Sequence, residues 1–183
     1  CYEQVNELEL SKHHYKRSLE LAPMFSEAWL GLGIVEDIEG NTNEAIILIE
    51  KALEFDPTNS GIMHVLAGAF EKIEDFDKAI EFYKKSLEIN PNDEECLSDY
   101  IELLTEFSPQ QAFSVLREFM DEHESNKISS ILEINLFWLL GQKDEALHLF
   151  SKCLKENGEK ARSIFEINPN LLDDQDFLNI SKD

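Results

Sequence analysis

The feature that most constrains this chain is a gapless self-similarity at 34 residues. Residues 26–59 read SEAWLGLGIVEDIEGNTNEAIILIEKALEFDPTN and residues 60–93 read SGIMHVLAGAFEKIEDFDKAIEFYKKSLEINPND. In register, Trp29 falls on Met63, Leu32 on Leu66, Gly33 on Ala67, Ala45 on Ala79, Ile46 on Ile80, Leu53 on Leu87 and Pro57 on Pro91. A period of this length marks a stack of supersecondary units, each too small to bury its own apolar face. The 183 residues, 43% of them hydrophobic, suffice for one continuous core, and seven Gly with five Pro are too few for a sandwich or barrel.

Each column has a physical cause. Trp29, Leu32 and the Glu36/Phe70 position share one face of a first helix, and Ala45, Ile49 and Ala52 share one face of a second. Small residues at Gly33/Ala67 and Ala45/Ala79 allow the two backbones to approach. Gly40-Asn41 punctuates the turn between them, with Asn41 and Glu44 spaced as a capping box. Pro57 and Pro91 end the unit, because the residue before a proline is pushed out of helical geometry.

This pattern resembles the tetratricopeptide repeat family, with its W, L, G and Y on a first helix, A, F and A on a second, and then P. The resemblance implies an all-α fold: an α-solenoid, a right-handed superhelix of stacked antiparallel helix pairs. Carried outward, the phase places SLELAP at 18–23 at the end of a second helix, so residues 1–25 form a partial unit with Cys1 inside a first helix. A chain opening there without Met is expected to be preceded by further repeats or another domain. Downstream, 94–126 forms a divergent unit, in which Ser108, Pro109 and Gln111 supply an N-cap, a first-position proline and a box-closing side chain. Residues 127–157 form another, placing Gly141, Ala146, Phe150 and Cys153 at the turn and second-helix positions, although its first helix is nearly apolar throughout. The array is thus expected over 1–157, with a helical C-terminal cap over 158–183 that breaks at Asn168-Pro169 and ends in a helix capped near Asp173 or Asp174.

Catalytic chemistry finds no support in the sequence: there is no GxSxG, GxxxxGK[ST], HExxH or EF-hand loop. His13 and His14 are adjacent, so on a helix they diverge by about 100° and make a poor chelate. His123 reads as a solvated helix end and His148 as a packed second-helix residue. Cys1, Cys96 and Cys153 lack metal or disulfide spacing and read as reduced thiols, Cys96 and Cys153 as small apolar side chains. The acids of Asp173-Asp174-Gln175-Asp176 lack the glycine and distal Glu of a calcium loop and suit a helix N-terminus instead. Trp29 and Trp138, at helical spacing with Leu and Ile, read as core rather than as ligand-stacking rings. No enzyme, metal or cofactor is expected.

The remaining candidate is the surface. The family resemblance implies a concave groove lined from successive first helices: Glu27, Leu30, Gly31, Ile34, Asp37 and Ile38; then Gly61, His64, Val65, Gly68, Glu71 and Lys72; then Glu95, Ser98, Asp99, Glu102, Thr105 and Glu106. Such a groove is apolar at one end and acidic at the other. Family members that grip the acidic tails of chaperones use Lys, Arg and Asn at such positions, a clamp this sequence lacks.

The formal net charge is −22, with −7 over residues 26–59 and −8 over residues 94–126. Such a charge repels nucleic acid and anionic membrane, which are not expected partners. A basic or basic-apolar segment of a protein or peptide is the expected ligand, anchored near Leu30, Ile34 and Val65. A regulatory arm of a larger enzyme or signalling protein and a self-assembly module are the alternatives, the latter suggested by the apolar residues 128–140. The chain is expected to be bacterial and cytoplasmic, with a periplasmic lipoprotein opening at Cys1 as the alternative.

Overall fold

A computed structural model of the protein describes residues 2–123 and 127–182, and divides them into two compact units, residues 1–91 and 92–183. The described residues are helical and contain no strand.

Unit 1 holds α1 (Tyr2–Leu21), α2 (Ser26–Ile38), α3 (Thr42–Phe55), α4 (Ser60–Lys72) and α5 (Phe76–Ile89), each packed on the one before it. The core runs through Ala28, Leu32, Ala45, Ile49, Leu66, Ala67, Ala79 and Tyr83, all buried, which are the columns that the 34-residue alignment brings together. Close approach is literal at Gly33. A Cβ there would lie 2.6 Å from Ile49 Cγ1 and 3.1 Å from the Ala45 carbonyl oxygen, so α2 and α3 touch backbone to side chain. Gly31 is similarly covered, by the ring of Tyr15 on α1.

The turns repeat as faithfully as the core. Gly40 adopts φ 87° and Gly141 φ 75°, and the amides of Gly40 and Asn41 donate to the carbonyls of Asp37 and Glu36 at 3.0 and 2.9 Å. This closes the helix end in the Schellman pattern, which requires a left-handed residue after the last turn. In the second repeat that residue is Glu74, at φ 61°, with the same bonds from Glu74 and Asp75 to Glu71 and Phe70.

Three details differ from expectation. The Asn41 side chain caps nothing; its Nδ2 donates to Glu36 Oε2 at 2.9 Å, so the backbone closure just described replaces the capping box. α1 is one continuous helix from Tyr2, with no turn separating a first helix from a second, so the residues after Cys1 extend the second-helix element; Cys1 itself lies outside the described residues. Trp29 is half-buried rather than core, its Nε1 donating to the Pro23 carbonyl at 2.8 Å.

Unit 2 holds α6 (Glu94–Phe107), α7 (Pro109–Glu122), α8 (Lys127–Leu139), α9 (Lys143–Ala161, interrupted at Asn157), α10 (Ile164–Ile167), a 3₁₀ turn (Pro169–Asp173) and α11 (Gln175–Lys182). Ser108 accepts from the Gln111 amide at 3.3 Å with Pro109 in the first turn, as its sequence predicts. α8 packs on α6, α7, α9 and α10, which explains its weak amphipathic pattern: a helix contacted on several sides has little use for a polar face. The feature that suggested self-assembly is therefore accounted for inside unit 2. The C-terminal residues close that core through Ile164, Leu171 and Phe177, all fully buried against Phe150 and Ile134. Asp174 Oδ1 caps α11, accepting from the amides of Asp176 and Phe177 at 3.0 and 3.3 Å.

Candidate functional site

The residues expected to line a groove are distributed over both units, and each unit shows a different local chemistry. On α2 of unit 1, Leu30, Ile34 and Ile38 recur every four residues on one face, with Ile34 36% and Ile38 62% exposed. Glu27 is exposed beside them. Asp37 is committed to the structure: it accepts from Thr42 Oγ1 at 2.9 Å and pairs with Lys72, tying α2 to α4. On α4, Val65 and Gly68 are half-buried, His64 sits against the Tyr83 ring at 5.9 Å, and Glu71 accepts the Tyr83 hydroxyl at 2.8 Å. Asp37, Glu71 and Lys72 thus hold helices together, while on the α2 stripe Ile34 and Ile38 are exposed and Leu30 is half-buried.

α1 contributes a further polar link. Lys12 reaches Glu36 at 2.9 Å and Glu39 at 2.5 Å, and these carboxylates hold its ammonium well above the usual lysine range. Glu36 is lowered in return, by Lys12 first and by Asn41 second.

In unit 2, Glu95 and Glu102 are exposed on α6 and Ser98 and Asp99 are half-buried. Ser98, Glu102, Thr105 and Glu106 line a cleft of about 300 Å³ together with Ile101, and the opposite walls come from Leu132, Asn135 and Leu139 of α8 and from residues 167–170. Glu95 and Asp99 do not line it. Sequence reasoning placed the α6 residues on this face and missed the second wall. Asn168-Pro169 marks a chain break, but nothing in one sequence says that the segment folds back beside α6. Asn168 fixes that wall: buried itself, it donates from Nδ2 to Asn135 Oδ1 at 2.8 Å and accepts from the Asn170 amide at 3.2 Å.

A second cavity of about 450 Å³ lies between α7, α8 and α9, lined by Arg117, Glu133, Phe137, Asp144, Glu145, His148 and Leu149. Glu133 is only 6% exposed, and burial pushes its carboxyl up against the opposing pull of Arg117. Arg117 Nη2 pairs with Glu133 Oε1 at 2.6 Å, although the guanidinium N–H groups are not aligned on that oxygen. The guanidinium instead spreads over the rings of Phe113 and Phe137, at 5.3 and 5.9 Å. His148 is exposed rather than packed, because its position on α9 faces this open cavity.

The other singled-out residues have structural surroundings. His13 and His14 are exposed, and His123 ends α7 with its ring 4.6 Å from that of Phe119. Cys96 is buried, and burial raises the half-buried Cys153 thiol. Trp138 is half-buried, edge-on to Phe177 at 5.5 Å. Asp174 and Asp176 hold Lys143 at 2.8 and 2.6 Å. Among the described residues no group of three or more His, Cys, Asp or Glu is placed to hold a metal ion, and no helix is long and apolar enough to cross a membrane.

Two tetratricopeptide repeat family models match the chain, over residues 2–60 and 65–93. Anaphase-promoting complex subunit 3 of Schizosaccharomyces pombe is 26% identical over 154 residues, which are 82% of this chain and 21% of that protein; the chain therefore spans about a fifth of this relative. Among solved structures, MamA superposes with a TM-score of 0.67 at 19% identity, covering 87% of this chain and 94% of its own. YrrB, described as a TPR protein with an unusual peptide-binding site, gives 0.59 at 22% identity, covering 90% and 86%. The likeness to these structures covers more of the chain than residues 2–60 and 65–93, so it includes helix pairs of unit 2 in the shared fold. On the repeat phase, the helix pairs and the family matches, residues 2–60 and 65–93 are tetratricopeptide repeats.

Proposed function

We propose that this chain is a non-catalytic protein-interaction module whose first-helix faces take a basic or basic-apolar segment of a partner protein. The observation that carries the reading is the stripe on α2 of exposed Ile34 and Ile38 with half-buried Leu30, in a chain of net charge −22. An apolar stripe is stabilised by covering it, at roughly 25 cal/mol per Å² of apolar surface removed from water. Acids distributed around it select cations over anions and hasten their encounter. The description of YrrB as peptide-binding, and the place of the fission yeast relative in a multisubunit complex, support a partner that is itself a protein.

The test is fluorescence anisotropy with a labelled peptide of alternating Lys and Leu, beside its Glu-Leu counterpart. The Lys peptide is expected to bind and the Glu peptide not, with affinity falling as ionic strength rises to physiological, where the screening length is about 8 Å. Ile34→Ser with Ile38→Ser weakens it by removing apolar surface, and Glu95→Lys with Asp99→Lys and Glu102→Lys by reversing charge. Equal binding of both peptides, or binding indifferent to salt, overturns the reading.

A further inference from the structure

The unit 2 cleft has a chemistry of its own, set by which elements build it. One wall carries Glu102 and Glu106, one helical turn apart on α6 and both exposed. The facing side sets the apolar Leu139, which is 45% exposed, Ile167 and Pro169 among the neutral polar Asn135, Asn168 and Asn170. The described lining residues include no Lys or Arg, so the two carboxylates have no counter-ion within the cleft. At about 300 Å³ the space lies at the small end of the range for ligand pockets, suited to one long side chain rather than a folded element.

Few side chains satisfy both walls. A carboxylate would meet Glu102 and Glu106 with like charge. A purely apolar side chain would cover Leu139 and Ile167 but strip water from the carboxylates without replacing their partners. An aliphatic stem ending in a cation does both, its methylenes lying on the apolar side and its head on the carboxylates. We infer that this cleft seats a single lysine or arginine side chain of the partner segment, with Leu139 of α8 and Ile167 and Pro169 of the C-terminal cap supplying the apolar contact. The inference rests on the basic-segment reading above. It assigns the cap a binding role beyond closing the core, and the Asn168 bonds to Asn135 and to the Asn170 amide keep that wall in place.

Two-dimensional ¹H–¹⁵N NMR of the full chain tests this, with acetyl-Ala-Leu-Lys-Leu-Ala-amide as probe and the same peptide carrying norleucine for lysine as control. The lysine peptide is expected to shift the amides of Ser98, Thr105 and Asn170, and the norleucine peptide to leave them unmoved. Glu102→Gln with Glu106→Gln should weaken the titration at these amides by about two- to fivefold, the scale of one exposed ion pair. Asn170→Lys, which places a competing cation at the rim, should act in the same direction. All three positions are exposed, and the spectrum itself reports whether each variant is folded. Shifts confined to Leu30, Ile34 and Val65 overturn the cleft assignment while leaving the interaction reading intact. An equal response to the norleucine peptide overturns the cation. Absence of shifts anywhere in the chain overturns both.

Discussion

Glu74 stands 34 residues after Gly40 in the same left-handed backbone conformation, φ 61° against 87°, and closes the end of α4 with the bonds that Gly40 makes at the end of α2. Left-handed geometry costs a residue with a Cβ about 1–2 kcal/mol, while glycine gives back roughly 0.5–1 through its freer unfolded chain. The balance favours glycine at both turns. Glu74→Gly is therefore expected to stabilise the protein by about 0.5–1 kcal/mol, and Gly40→Ala to destabilise it by a similar amount. Thermal unfolding followed by circular dichroism checks both, and a lower melting temperature for Glu74→Gly would contradict the argument.

That pair also shows how far the sequence could be read. The 34-residue register located the helices of unit 1, because small, buried columns such as Gly33 against Ala45 and Ile49 leave a direct trace in residue size. Glu74 left none: a surface turn held by backbone bonds tolerates a residue whose letter says nothing of its φ. The α2 stripe was reached by another route, since the family resemblance implies groove positions that include Leu30, Ile34 and Ile38. Asp37 and Glu71 were legible as first-helix acids but not as bonded ones, since their partners Lys72 and Tyr83 lie 35 and 12 residues away. The cleft of unit 2 was half legible. Its α6 wall follows from the repeat phase, whereas the wall from residues 167–170 depends on a tertiary contact of Asn168 with Asn135, 33 residues earlier, which no local pattern announces.

Glu133 gives a pH prediction. Burial raises its carboxyl above the ordinary range and outweighs the nearby Arg117, so ionising it costs the folded state more than the unfolded one. Below about pH 4.3, where the unfolded carboxyl is protonated, no penalty exists; it grows as pH rises toward the raised folded value and is constant beyond it. Glu133→Gln is thus expected to be nearly neutral at pH 4 and stabilising by about 1 kcal/mol at pH 7. Arg117→Met does the opposite at pH 7, removing the one cation 2.6 Å from a buried carboxylate, and should cost about 2–3 kcal/mol there and less at pH 4. Urea unfolding of both variants at the two pH values measures this. A pH-independent effect of Glu133→Gln would show that its charge is not what matters.

Phe177 tests whether the C-terminal cap is integral to unit 2. Its ring is fully buried, 5.1 Å from Phe150 and 5.5 Å from Trp138, to which it stands perpendicular, so α11 plugs the open end of the α8–α9 pair. Phe177→Ala removes most of that plug and is expected to cost about 3–5 kcal/mol, as large aromatic deletions from well-packed cores do. Leu172→Ala, one residue past the buried Leu171 but itself 49% exposed, should cost little. Trp138 provides a local readout once Trp29 is replaced by Phe. In that background Phe177→Ala should shift the indole emission to longer wavelength at temperatures where helicity is still unchanged, because water reaches the ring before the helices melt. A loss of helicity simultaneous with the emission shift would instead mean that the cap and the rest of unit 2 unfold as one cooperative block.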